Sequence, residues 1–155
     1  MQPENNLLGE KIRLINYAIS ETESAYHDVA QLLSISDSEL GILYVLRNAG
    51  KSIKLKDLVA LTGACKQTIN SAVRKMEKAG SITLTPADGK NKLVSLTEKG
   101  EALAERTADK LIETERLVFS GWNKKDVDEY LRLSEKYLRE FKNEIKNIKA
   151  RKNDL

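Results

Sequence analysis

Residues 66–79 combine an apolar face with a face rich in hydrogen-bond donors. The apolar residues recur at steps of three and four, which is the spacing of one buried face of a helix. They are Ile69, Ala72, Val73 and Met76. The opposite face carries Lys66, Gln67, Thr68, Asn70, Ser71, Arg74 and Lys75. Gln and Asn form two-pronged hydrogen bonds with adenine, Arg forms them with guanine, and Lys attracts phosphate as a single charge. This helix is therefore equipped to contact double-stranded DNA.

The charge of the chain is concentrated around this segment. The net charge is +3 overall, but it is −4 for residues 1–50, +6 for 51–92 and +1 for 93–155. A positive middle is typical of a local phosphate-binding surface. Because a solvated helix face carries the same residue types, the neighbouring elements must decide between the two interpretations.

The flanking pattern is that of a helix, a turn, a helix and a hairpin. A short helical segment precedes Gly63, which marks the turn before residue 66. After Gly80, two alternating apolar and polar stretches flank an Asp88-Gly89 pair, a strong signal for a hairpin turn. Lys90 and Lys92 make the tip of this hairpin basic. This order of elements is that of a winged helix-turn-helix.

Long amphipathic helices are predicted on both sides of this unit, with starts marked by capping residues. Ser36 with Glu39 fits a capping box. Thr97 is a suitable cap for a helix that is predicted to run to about Phe119, and Asn123 is a suitable cap for the last helix. The outer helices carry heptad stripes with more apolar surface than the small unit can cover, so we expect a second copy of the chain there. The residues expected at the dimer interface are Leu8, Ile12, Ile15, Ile19, Leu131, Leu138, Phe141 and Ile145.

The sequence therefore predicts a mostly α fold with a small β-hairpin wing. Residues 36–97 form the predicted winged helix-turn-helix lobe, and 8–33 and 98–150 the helical dimerisation region.

The stretch from Ser36 to Gly100 resembles the MarR family of bacterial transcription regulators. The resemblance lies in Leu61-Thr62-Gly63, in the segment from Gln67 to Gly80, and in the wing from Asp88 to the Leu-Thr-x-x-Gly ending at residues 96–100. The chain departs from the family pattern at two places, in the wing and at the start of the recognition helix. Lys90 stands where an Arg is usual, which favours phosphate contact over minor-groove reading, and Cys65-Lys66 replaces a frequent Asp-Arg.

The resemblance implies a triangular homodimer that holds two recognition helices about 34 Å apart, in successive major grooves of a pseudo-palindromic operator. It adds Asp88 of the wing to the DNA-binding candidates. It also implies a repressor, released by a small aromatic or anionic effector. The effector candidates that it suggests are Tyr17, Tyr26, His27, Tyr44 and Trp122, each of which could instead simply pack.

Other functions find less support in the sequence. One His and one Cys cannot form a zinc site, and no catalytic or nucleotide-binding motif is present, so we expect neither an enzyme nor a cofactor. Cys65, at a helix start beside Lys66, could sense oxidants or be inert. The sequence contains no long apolar run and no signal-peptide pattern, which predicts a cytoplasmic location without membrane contact. The main alternative is a winged helix that binds protein instead of DNA.

Overall fold

The computed structural model describes residues 3–153, and the side chains of 6–151. The helices are α1 (Pro3–Leu32), α2 (Asp37–Asn48), α3 (Leu55–Thr62), α4 (Lys66–Lys78), α5 (Glu98–Arg106), α6 (Ala108–Ser120) and α7 (Lys124–Asn153), and the strands are β1 (Ser52–Lys54), β2 (Ile82–Pro86) and β3 (Lys92–Leu96). The mostly helical fold with a small β wing is confirmed.

Three of the helices begin where the capping residues predict. The Ser36 hydroxyl accepts from the Glu39 amide at 3.3 Å, and Thr97 accepts from the Gly100 amide at 3.1 Å. Asn123 accepts from the Asp126 amide at 2.9 Å. Each bond satisfies a backbone N–H that the first turn of a helix leaves without a partner.

The β structure contains one strand more than the predicted hairpin. β2 and β3 pair antiparallel from Ile82 opposite Leu96 to Pro86 opposite Lys92. β1 then pairs antiparallel with the free edge of β3, with Ile53 opposite Val94, giving the order β1-β3-β2. Residues 52–55 alternate polar and apolar side chains over only four positions, which is too few to predict a strand, and the edge of β3 supplies the hydrogen-bonding partner of β1.

The core lies where α2, α3 and α4 meet the sheet. Its fully buried side chains include Ile42, Leu43, Leu46, Leu58, Ile69, Val73, Met76, Ile82 and Val94. The apolar face of α4 thus packs inward, and its polar face stays in solvent.

The helix predicted from Thr97 to about Phe119 is interrupted at Thr107. This buried residue has φ −128° and ψ −83°, and its hydroxyl donates to the carbonyl of Leu103 at 2.6 Å. A side chain that bonds back to the preceding turn often bends a helix. The predicted single helix is therefore two helices, α5 and α6.

The chain divides into two compact units, one up to Glu113 and one from Thr114. The second unit contains the end of α6 and all of α7. Within it, the Trp122 ring lies 5.2 Å from that of Phe119 and 5.6 Å from that of Tyr130, in edge-on geometry. These contacts join the end of α6 to the start of α7.

In the described part of the chain, no helix by itself is long and apolar enough to cross a membrane. Only the pair 6–32 and 37–48, taken together across a 94° bend, meets that test of length and composition.

Candidate nucleic-acid interface

The seven polar residues predicted on α4 form one continuous outer face. Asn70 is partly buried, and the other six are exposed: Lys66, Gln67, Thr68, Ser71, Arg74 and Lys75. The buried face of α4 holds this surface in place, since Ile69, Val73 and Met76 are each at most 2% exposed. Two grooves run along the two sides of this helix.

The first groove, here called the wing-side groove, lies between α3, α4 and the hairpin. Its cationic residues are Lys56, Lys66, Arg74, Lys90 and Lys92; its other lining residues are Leu55, Val59, Asn70, Val73, Leu84 and Asn91. None of these described lining residues is acidic. The structure therefore brings Lys66 and Arg74 of α4 together with the two predicted cations of the wing in one groove, whereas Lys75 lies on the other side of α4. Such a surface attracts the phosphate backbone of a nucleic acid.

The second groove, here called the α2-side groove, has a different chemistry. It is lined by Ser36, Ser38, Glu39, Gln67, Thr68, Ser71, Ala72 and Lys75. Lys75 Nζ lies 3.3 Å from Glu39 Oε2, so the single cation of this described lining is paired with a carboxylate. Hydroxyl and amide groups make up most of the rest.

The tip of the wing is held by Asp88. Its carboxylate Oδ2 accepts from Lys54 Nζ at 3.0 Å, and its carbonyl accepts from the Asn91 side chain at 3.0 Å. Asp88 therefore anchors the hairpin to β1. Unlike Lys90 and Lys92, it is not among the described lining residues of the wing-side groove.

The turn before α4 and the residues after β3 fix this geometry. Gly63 ends α3 with φ +68°, a left-handed conformation that favours glycine. Gly100 is required for a different reason: a Cβ there would lie 1.9 Å from the carbonyl oxygen of Ser81. The Thr97 hydroxyl donates to the Gly80 carbonyl at 2.6 Å. The Leu-Thr-x-x-Gly ending thus ties the start of α5 to the end of α4.

Cys65 is exposed at the start of α4. Its Sγ lies 2.9 Å from Thr68 Oγ1. This hydrogen bond, with the amides of Thr68 and Gln67, lowers the pKa of the thiol. No group of three or more His, Cys, Asp or Glu among the described residues could hold a metal ion.

The effector candidates lie at several places in the structure. Tyr17 and His27 are exposed on α1 and, ten residues apart, are separated by about 15 Å along it. His27 Nδ1 lies 2.9 Å from Asp37 Oδ2, and its Nε2 lies 2.8 Å from the Gln31 amide. Tyr26 is exposed on the same helix. Tyr44 is partly buried against the core, and Trp122 belongs to the aromatic cluster of the second unit.

The predicted interface residues of the outer helices are accessible in the single chain. Leu8, Ile12, Ile15, Ile19, Leu131, Leu138 and Phe141 are between 43% and 57% exposed, and Ile145 is partly buried. Among the described residues, these exposed apolar side chains form one stripe on each outer helix that is accessible to a partner.

Sequence reasoning missed three residues of the interface region. Lys56 lies in the wing-side groove, Lys54 holds the wing tip, and Glu39 pairs with Lys75. Lys56 is the second residue of α3, the helix before the turn. Its position in the helix-turn-helix pattern could therefore have indicated that it lies near the interface. The two ion pairs join residues 34 and 36 positions apart, which no local pattern indicates.

Comparison with known proteins agrees with this architecture. Residues 33–90 match the model of the MarR family. No curated protein matches the chain in sequence. Among solved structures, a MarR-family transcriptional regulator from Silicibacter pomeroyi is similar with a TM-score of 0.69 at 19% identity, over 89% of this chain and 94% of that one.

Two further structures are similar in fold. MepR of S. aureus, solved as a DNA complex, has a TM-score of 0.64 at 17% identity, over 83% of this chain and 96% of that one. BpsR of Bordetella bronchiseptica, whose DNA binding is regulated by 6-hydroxynicotinic acid, has a TM-score of 0.60 at 20% identity, over 79% and 97%. Residues 33–90 thus match the model of the MarR family, and most of the chain shares the winged-helix fold of the MarR-family structures it resembles.

Proposed function

We propose that this protein is a sequence-specific DNA-binding regulator of transcription that works as a homodimer, acts by binding and not by catalysis, and represses its target genes. The observation that carries the proposal is the wing-side groove, which gathers five cations from α3, α4 and the hairpin with no acidic residue in its described lining. A winged helix that binds protein has no need of such a groove.

The residues divide into readers and backbone contacts. Gln67, Asn70 and Arg74 are exposed or partly exposed on α4 and carry groups that pair two-pronged with bases. Lys66, Lys90 and Lys92 are flexible cations suited to phosphate, and Thr68 and Ser71 supply neutral donors. In this proposal α4 enters the major groove, the wing follows the adjacent backbone, and Asp88 keeps the wing in position.

The homodimer rests on the apolar stripes of α1 and α7. Side chains such as Ile12, Leu138 and Phe141 are about half exposed in the single chain, and a second copy would bury them. A twofold dimer presents two copies of α4, which suits a pseudo-palindromic operator. A dimer bound to such an operator would compete with RNA polymerase for the same DNA. It would thereby repress transcription, and the proposed location of the protein is the cytoplasm.

A small aromatic or anionic effector is proposed as the release signal. BpsR, which is similar in fold, responds to 6-hydroxynicotinic acid, a small aromatic acid. Tyr17, Tyr26, His27, Tyr44 and Trp122 are proposed as individual candidate contacts for such a ligand, because within one chain Tyr17 and His27 lie too far apart along α1 for one small molecule to touch both. The effector would act by binding one spacing of the two recognition helices more tightly than the other.

Fluorescence anisotropy tests the proposal. A labelled duplex from the region upstream of the protein's own gene is compared with a scrambled duplex of equal length, over a salt titration. We expect one dimer per duplex, preference for the upstream duplex, and log affinity that falls steeply with log salt. Weak binding that is equal for both duplexes, together with no enrichment from a library of genomic fragments, would contradict it.

A further inference from the structure

The two sides of the proposed recognition helix differ in charge. The wing-side groove has five cations, whereas the α2-side groove has Lys75 with Glu39 beside it. If α4 contacted the two phosphate backbones of a major groove equally, it would need cations on both of its own sides. The placement of Glu39 makes the α2 side electrostatically close to neutral.

Glu39 is fixed in this position. Its side chain is 17% exposed, and its Oε2 accepts from the Ser36 hydroxyl at 2.5 Å and from Lys75 Nζ at 3.3 Å. Burial raises the pKa of Glu39, but the hydrogen bonds from Ser36 and Lys75 outweigh it and hold the pKa below its ordinary value. The group therefore remains a carboxylate at neutral pH.

Lys75 is the more exposed partner of the pair. Its side chain is 70% exposed, so it can turn toward solvent or DNA, while the carboxylate stays in place. A phosphate arriving on this side would compete with Glu39 for the ammonium group and would also be repelled by the carboxylate. Ser36, Ser38, Thr68 and Ser71 remain as neutral donors there.

We propose that Glu39 prevents Lys75 from acting as a phosphate-binding cation, so that the attraction to the DNA backbone comes from the wing-side groove alone. This inference rests on the proposed DNA-binding function. Its consequence is specificity: sequence-independent affinity depends on phosphate neutralisation, and reducing that term leaves base contacts a larger share of binding. Glu39 is thus a specificity-determining residue that need not touch a base.

A double-mutant cycle on Glu39 and Lys75 tests the inference. Affinity for a scrambled duplex is measured over a salt titration for wild type, Glu39→Gln, Lys75→Ala and the double variant. Glu39→Gln should steepen the slope of log affinity against log salt by about 0.9, the value of one phosphate contact. It should also raise affinity for the scrambled duplex more than for a specific one. Adding Lys75→Ala should remove the gain.

Asp37→Asn is the matched control. Asp37 lies in the same first turn of α2 and loses the same charge, but its carboxylate contacts His27 at 2.9 Å. We expect it to leave the slope unchanged. Gln at position 39 can keep the hydrogen bond to Ser36, and Lys75→Ala alone gives a second measurement that leaves the α2 cap intact.

Three outcomes overturn the inference: Glu39→Gln behaving like Asp37→Asn, a gain that survives the loss of Lys75, or Lys75→Ala alone flattening the slope by about 0.9. In each of these cases wild type still binds DNA with a steep salt dependence, so the proposed function stands. Absence of salt-dependent binding by wild type would overturn both.

Discussion

Arg47 and Asp109 form a two-pronged ion pair that joins α2 to the start of α6. Arg47 Nε donates to Asp109 Oδ1 at 2.7 Å, and Nη2 donates to Oδ2. The third nitrogen, Nη1, donates to Glu101 of α5. Since α5 and α6 are separated at Thr107, one arginine ties both sides of this break to the core helix α2.

The first prediction concerns acid stability. The hydrogen bond from Arg47 lowers the pKa of Asp109, despite burial that raises it. A carboxyl group with a lowered folded pKa stabilises the protein above its unfolded pKa of about 3.9, and this contribution disappears as the pH falls through the folded value. Asp109→Asn should therefore cost about 1 kcal/mol of unfolding free energy at pH 7, since the carboxylate is partly exposed.

Denaturant unfolding at pH 7 and pH 3 measures this difference. Glu105→Gln, which removes an exposed carboxylate of α5, serves as the control for losing an ordinary surface charge. The difference in unfolding free energy between wild type and Asp109→Asn should be smaller at pH 3 than at pH 7. A difference of the same size at both pH values would show that Asp109 does not act through its charge.

Gly100 is predicted to tolerate no side chain. A Cβ would meet the Ser81 carbonyl at 1.9 Å, so backbone must move, and Gly100→Ala should cost about 3 kcal/mol. Gly41→Ala, in α2, is the matched control: nothing lies within 4 Å of its Cβ, and it should be neutral or stabilising by up to about 1 kcal/mol. Thermal unfolding of both variants measures the contrast, and equal stability would be inconsistent with the close approach.

Local patterns accounted for much of this fold, and the misses have physical reasons. Caps such as Ser36 and Thr97 act within one helical turn, so the sequence shows them directly. The pairing of β1 depends on the edge of β3, about 40 residues further along the chain, and no local pattern indicates the helix break at the buried residue Thr107.

The candidate site likewise has a part that the sequence predicts and a part that only the folded structure shows. The periodicity of α4 predicted its outward face from residue 66 to 75. It could not show that Glu39 pairs with Lys75 or that Lys54 holds Asp88, because both are tertiary ion pairs. Which residues carry DNA recognition stays a prediction.

Arg74 is predicted to be a base-reading residue. It is exposed on α4 and lines the wing-side groove, so Arg74→Ala should weaken binding to the specific duplex by about 1–3 kcal/mol and reduce discrimination against the scrambled one. Anisotropy titrations measure both effects. Arg106→Ala removes an exposed cation that lines neither groove and should bind as wild type does. Unchanged affinity for Arg74→Ala would mean that α4 does not read bases.

Lys92 is predicted to contact phosphate only. Lys92→Ala should lower affinity for specific and scrambled duplexes alike and flatten the salt slope by about one. The same titrations separate this effect from that of Arg74. A loss confined to the specific duplex would instead make Lys92 a base-reading residue.

The apolar stripe of α7 is predicted to hold the dimer. Leu138→Asn combined with Ile145→Asn should dissociate it, because both polar groups would lie in a buried interface. Sedimentation velocity gives the mass. Leu133→Asn is the control, since Leu133 is 48% exposed on the same helix but lies away from the stripe. A dimer that persists in the double variant would place the interface elsewhere.

Selection from a library of randomised duplexes tests the central claim most directly, because it needs no knowledge of the target gene. We predict enrichment of an inverted repeat whose two half-sites have centres about one helical turn, 10–10.5 base pairs, apart. The Arg74→Ala variant should lose preference at the same base in both halves. A pool that stays random after repeated rounds would contradict sequence-specific DNA binding.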